Sequence, residues 1–66
     1  MHNHDYHQSI LRLPGLEKKT GLKKTSIYKL IKDGTFPAPV RLTDRAVGWY
    51  EHEVNNWLSG RQRAEL

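Results

Sequence analysis

No cysteine occurs among the 66 residues of this chain, and that absence limits its folding options more than any other feature. A domain of this size buries only about 60% of the surface its unfolded chain exposes, so many natural examples add disulfides or thiolate-bound metal. With both routes closed, one thin apolar core must hold the fold, and each large apolar side chain is needed in it. There is no room for a second domain. No apolar run approaches the roughly 20 residues of a spanning helix. A signal-peptide core is also missing, so the chain is expected to be soluble and untargeted.

Charge narrows the function. Eleven lysines and arginines stand against seven acids, a net charge of +4. The sum from Met1 to Glu17 is −1 and from Glu51 to Leu66 again −1, whereas eight cations and two acids between Lys18 and Arg45 give +6. A basic centre between mildly acidic ends suits a polyanion binder, because cations that neutralise phosphates release condensed counterions. The same run also fits a solvated lysine-rich face, so the charges must first be placed on elements.

Residues 1–9, opening MHNHDYHQ, lack apolar periodicity and are expected to form a disordered tail. His2, His4 and His7 lie on it, but no carboxylate pair or second histidine cluster fixes a coordination geometry, and no metal site is expected. A folded domain is expected over residues 10–60. Ile10, Leu11 and Leu13 are the first clustered apolar residues, and Pro14 suits the first turn of a helix over Pro14–Thr20. Gly15 weakens that helix. Gly21 closes it in a left-handed conformation, with Leu22 packing back over the turn. Ile27, Leu30 and Ile31 then form one stripe of a second helix, Lys24–Asp33, which stops at Gly34.

Pro37 and Pro39 hold the following chain extended. Val40 and Leu42 alternate with Arg41 and Thr43, and Val47 and Trp49 with Gly48 and Tyr50, which predicts two strands around a polar tip at Asp44 and Arg45. A last helix starts at the acids Glu51 and Glu53, buries Val54, Trp57 and Leu58, and stops at Gly60. Residues 61–66 are expected to fray. The fold class is therefore mostly α with a small β-hairpin: a winged helix-turn-helix of three short helices plus a two-stranded wing.

In such a fold the second helix is the one that enters a major groove. At about 100° per residue, Lys24, Tyr28 and Lys32 form one row and Thr25, Lys29 and Lys32 the next, both opposite the apolar stripe. Lys24, Thr25, Tyr28 and Lys29 are the candidates for reading bases, and Lys23, Ser26 and Lys32 complete the contact set. On the wing, Arg41 and Thr43 point away from the core if Val40 and Leu42 point inward, and Arg45 sits at the tip. Arginines there suit the DNA backbone or the minor groove, though they also serve ordinary hairpin solubility. Tyr28 borders the apolar stripe, so its ring packs while its hydroxyl reaches outward. Trp49 and Trp57 could stack bases as in single-strand binders. Both lie on buried faces of a chain short of large apolar residues, which favours the core. His52 is expected on the surface.

Catalysis has little support. None of the three serines has a histidine at a motif spacing. The glycines form no phosphate-binding fingerprint, and the run Glu51, His52, Glu53 lacks the second histidine of a zinc protease. The expectation is a protein without catalytic activity, cofactor or small-molecule ligand.

The run from Leu13 to Trp57 resembles the AlpA-type phage and prophage regulators, small relatives of the MerR-like winged helix-turn-helix and of phage excisionases. The resemblance is carried by TGL at Thr20–Leu22, TSIYKLIKDGTFPAPV at Thr25–Val40, RAVGW at Arg45–Trp49, and Glu53, Val54 and Trp57. It implies a sequence-specific double-stranded DNA binder that regulates transcription of phage or prophage genes, for example an integrase gene, on the nucleoid in a bacterial cytoplasm. The match extends to Thr25, Ser26, Tyr28, Lys29 and Lys32 on the reading helix and to Arg41 and Arg45 on the wing.

Two residues depart from the family pattern. Gly15 replaces a helix former, and Lys23 replaces a serine or threonine able to cap the second helix, whose start is then expected to be less ordered until a phosphate serves as the cap. An excisionase-like factor that bends DNA would use the same surface, and an adaptor docking an acidic protein on the basic face is the alternative from another class. A lone module of this kind buries only about 600 to 1,000 Å² of protein surface on DNA, so use as a dimer or on tandem sites is expected.

Overall fold

The computed structural model describes residues 9–65; what was expected of residues 1–8, including the three histidines, lies outside them. The order of elements is β1 (Ile10–Leu11), α1 (Leu13–Thr20), α2 (Lys24–Lys32), β2 (Val40–Thr43), β3 (Ala46–Tyr50) and α3 (Glu51–Ser59). The three helices and the β2–β3 hairpin make the expected winged helix-turn-helix.

Both ends of α1 have a local cause. Pro14 lies in the first turn of α1, where its missing N–H leaves no bond unmade, and the helix runs unbroken through Gly15. Gly21 ends it with φ +76°, a conformation costly for any residue with a Cβ, and its N–H donates to the Glu17 carbonyl at 2.8 Å. Thr20 reinforces the turn: its hydroxyl donates to the Leu16 carbonyl at 2.8 Å and accepts the Leu22 N–H at 3.2 Å.

The core takes one side chain from each helix, one from the central strand and one from the connection between α2 and β2: Leu16, Ile27, Val54, Trp49 and Phe36. Leu22, Leu30, Ile31, Trp57 and Leu58 pack around it, half-buried. Both indoles hold the same stretch of chain. Trp49 is fully buried and its Nε1 donates to the Pro37 carbonyl at 3.1 Å, while Trp57 donates to the Thr35 carbonyl at 2.6 Å and meets the Phe36 ring edge-on, centroids 4.7 Å apart. Arg61, just beyond α3, lies 4.2 Å over the Trp57 ring, and its Nε donates to the Trp57 carbonyl. The core role expected for the tryptophans holds in full for Trp49 and in part for Trp57.

The sheet departs from expectation twice. First, it has three strands in the order β1-β3-β2, all antiparallel, because Ile10 and Leu11 pair with Tyr50 and Trp49. Two residues are too few for alternation to signal a strand. Second, Arg41 lies opposite Val47, on the face of the sheet that carries Trp49, whereas Val40 lies opposite Gly48 on the other face. The expected inward Val40 and Leu42 with outward Arg41 is therefore reversed. An irregularity between Arg41 and Thr43 adds to the shift, and Leu42 is left 40% exposed.

Gly48 makes the third strand possible. A Cβ there would stand 2.5 Å from Ile10 Cγ2, 3.0 Å from the Leu11 carbonyl oxygen and 3.2 Å from Leu42 Cδ1. Gly48→Ala is therefore expected to push β1 off the sheet and to destabilise the domain by about 1 to 3 kcal/mol, the usual range for overpacking. Urea denaturation followed by tryptophan fluorescence measures the loss.

Candidate nucleic-acid interface

The candidate interface is built on α2. Its buried stripe turns inward, with Ile27 fully buried and Leu30 and Ile31 half-buried, so the remaining positions must face out. Lys23, Lys24, Thr25, Ser26, Lys29 and Lys32 are all exposed, with Lys23 as the N-cap residue and Lys24, Thr25 and Ser26 in the first turn. Among the described residues none of these lysines makes a salt bridge, so their charge is not neutralised within the protein. Lys19 differs: its Nζ lies 3.1 Å from Glu51 Oε2, which ties the end of α1 to the start of α3 and removes one cation of the basic segment from this surface.

The Tyr28 ring packs as expected, and the residue stays partly exposed. Its ring meets Trp49 edge-on, centroids 6.3 Å apart, yet the residue keeps 39% of its surface. The ring anchors the middle of α2 to the sheet.

Arg41, Thr43 and Arg45 are exposed around the hairpin turn. Arg41 donates to the Asp44 carbonyl at 3.2 Å, and the Thr43 hydroxyl accepts the Arg45 N–H at 3.2 Å. These bonds shape the tip and, among the described residues, leave most guanidinium donors open. The reversed register places Arg41 on the face of the sheet that carries Trp49.

The start of α2 is not loose. Lys23 supplies no side-chain cap, as expected, but Glu17 of α1 does: its Oε2 accepts the Lys24 N–H at 2.9 Å. The capping group comes from the preceding helix, seven positions upstream, at a spacing no local motif describes. The expected disorder at this terminus is thus corrected, and Glu17 enters the site as a residue the sequence did not single out.

Helix, turn, exposed cationic helix and basic wing define a small winged helix-turn-helix protein. The chain belongs to the family described as prophage CP4-57 regulatory protein (AlpA), whose model matches residues 9–62. It is similar to the DNA-binding transcriptional activator AlpA of Escherichia coli K12, 41% identical over 63 residues, a match covering 86% of this chain and 87% of the relative. It is also similar to the uncharacterized protein ORF88 of Enterobacteria phage P4, 39% identical over 54 residues, covering 82% of this chain and 61% of the relative. No solved structure matches it significantly.

Proposed function

We propose that this protein binds double-stranded DNA sequence-specifically through α2 and the wing, and regulates transcription of prophage genes such as an integrase gene. The observation that carries the reading is the row of exposed lysines on α2, free of acidic partners among the described residues and opposite its buried stripe. The family, and the activator role in the name of the Escherichia coli relative, support the same reading.

Lys24, Thr25, Tyr28 and Lys29 reach base edges, Lys23, Ser26 and Lys32 hold phosphates beside them, and Arg41, Thr43 and Arg45 engage the backbone or minor groove. Residues 10–60 form the binding unit, and paired or tandem copies make up for its small footprint. No catalysis is assigned. The site of action is the bacterial cytoplasm, at the nucleoid; among the described residues no helix is long and apolar enough to cross a membrane.

Amide shift mapping against promoter and random duplexes tests the reading. Shifts centred on residues 23–32 and 41–45 are expected, and shifts confined to other surfaces would exclude it. Lys29→Ala is expected to weaken binding to a promoter site by about 1 to 3 kcal/mol and to a random duplex by less. Equal losses would make Lys29 a phosphate ligand instead.

A further inference from the structure

Arg61 follows the last helix, in the stretch expected to fray, yet its position is fixed. Its backbone N–H donates to the Leu58 carbonyl at 3.1 Å, its Nε donates to the Trp57 carbonyl at 3.3 Å, and its guanidinium carbon lies 4.2 Å over the Trp57 ring. These contacts occupy the backbone, Nε and one face of the guanidinium. Both Nη groups are left without a protein partner among the described residues, and no acid there pairs with the charge. Stacking on an indole orients an arginine without neutralising it. Arg61 is thus an exposed cation whose side chain is already held in one conformation.

Trp57 decides where that cation stands. Its Nε1 donates to the Thr35 carbonyl at 2.6 Å, and Thr35 is fastened in turn to the end of α2, its N–H and its hydroxyl donating to the Leu30 carbonyl at 3.0 and 3.3 Å. Lys29 and Lys32 belong to the same last turn and are exposed. A line of direct contacts therefore runs from the basic end of α2 through Thr35 and Trp57 to Arg61, and holds the guanidinium in a set position relative to the cationic helix.

A planar guanidinium grips a phosphate through two parallel N–H bonds, and the grip is tighter when the fork is oriented beforehand, because less side-chain freedom remains to be lost. Covering Trp57 uses only the face of the group, which leaves the Nη edge and the charge available to an anion.

We propose that Arg61 is a phosphate-binding residue of the DNA surface: stacked on Trp57 and fixed relative to α2, it offers its Nη edge to the duplex backbone beyond the C-terminal end of that helix. The proposal rests on the DNA-binding reading and extends its contact set to the segment after α3. A phosphate contact carries no sequence information, so Arg61 adds affinity for every duplex and selectivity for none.

The test compares the wild type with Arg61→Gln, Arg61→Lys and Arg63→Gln by fluorescence anisotropy at several salt concentrations. Arg63→Gln removes the same charge two residues further on, from an exposed side chain without bonds among the described residues. Two probes are used: a random-sequence duplex, and a duplex selected by the wild type from a random pool. Arg61→Gln is expected to weaken binding to both by the same factor, about tenfold, and to make the log-log salt slope shallower by about 0.9 for one lost phosphate. Arg61→Lys keeps the charge and loses the fork, so the wild-type slope with an intermediate affinity is expected. Arg63→Gln should leave the slope unchanged.

A wild-type slope in Arg61→Gln together with a lower melting temperature would reduce Arg61 to a staple on Trp57 and overturn the proposal. Equal slope changes in the two glutamine variants would overturn it as well, by making the effect one of net charge. The side-chain Nε resonance of Arg61 in the wild type gives a readout that needs no variant: it is expected to shift on addition of the random duplex, and an unmoved resonance in a protein that binds the duplex would contradict the contact. A wild type that binds neither duplex would instead overturn the DNA reading, and this proposal with it.

Discussion

Trp49→Ala is expected to unfold the domain at ambient temperature. Trp49 is the largest fully buried side chain, sits on the central strand, faces Leu11 across β1 and holds the Tyr28 ring from below α2. Its removal takes away a large apolar burial, leaves the Pro37 carbonyl without its indole donor, and opens a cavity that touches every layer of the fold. Large aromatic truncations in a core cost about 3 to 5 kcal/mol. At about 0.05 to 0.15 kcal/mol per residue, a chain this long has only about 3 to 10 kcal/mol to lose. Circular dichroism melts measure the outcome: no cooperative transition is expected for Trp49→Ala, and a weakened but cooperative one for Trp49→Phe. A native-like melt for Trp49→Ala would show that the core is assigned to the wrong residues.

DNA affinity is expected to fall steeply with salt. Lys23, Lys24, Lys29 and Lys32 on α2 and Arg41 and Arg45 on the wing are exposed, and none is neutralised by an acidic neighbour among the described residues. If five or six of them meet phosphates, each releasing about 0.9 counterion, the log-log slope is about −4 to −6. A fourfold rise in salt then weakens binding about a thousandfold. Fluorescence anisotropy with a labelled duplex checks this directly, and a slope near zero would exclude phosphate neutralisation as the basis of binding. The double variant Lys29→Ala with Lys32→Ala divides the surface further. It is expected to make the slope shallower by about 1.8 if both lysines meet phosphate and by about half that if Lys29 contacts a base.

Much of this architecture was legible in the sequence because its signals are local. Ile27, Leu30 and Ile31 repeat at helical spacing, Gly21 and Gly34 mark helix ends that need a left-handed residue, and the two prolines end helical structure before the wing. The exposed side of α2 followed from its buried side. What escaped depends on partners distant in the chain. Ile10 and Leu11 become a strand only because Gly48, far along the chain, leaves space beside them. Arg41 changes face because the pairing is shifted near the tip, and a one-residue slip reverses every side chain. Glu17 caps a helix other than its own, which capping motifs within a single helix do not describe.

The indole bonds to the Thr35 and Pro37 carbonyls bear on how recognition happens. They fasten the connector leading from α2 to the hairpin, a segment rich in proline and lacking regular structure. Its conformational freedom is given up when the chain folds rather than when a ligand arrives, so on the proposed binding mode α2 and the wing would meet the double helix as a preformed template with little left to order. Fit between the two partners must then come mainly from the pliability of the nucleic acid, which makes local groove width and flexibility part of what distinguishes one site from another.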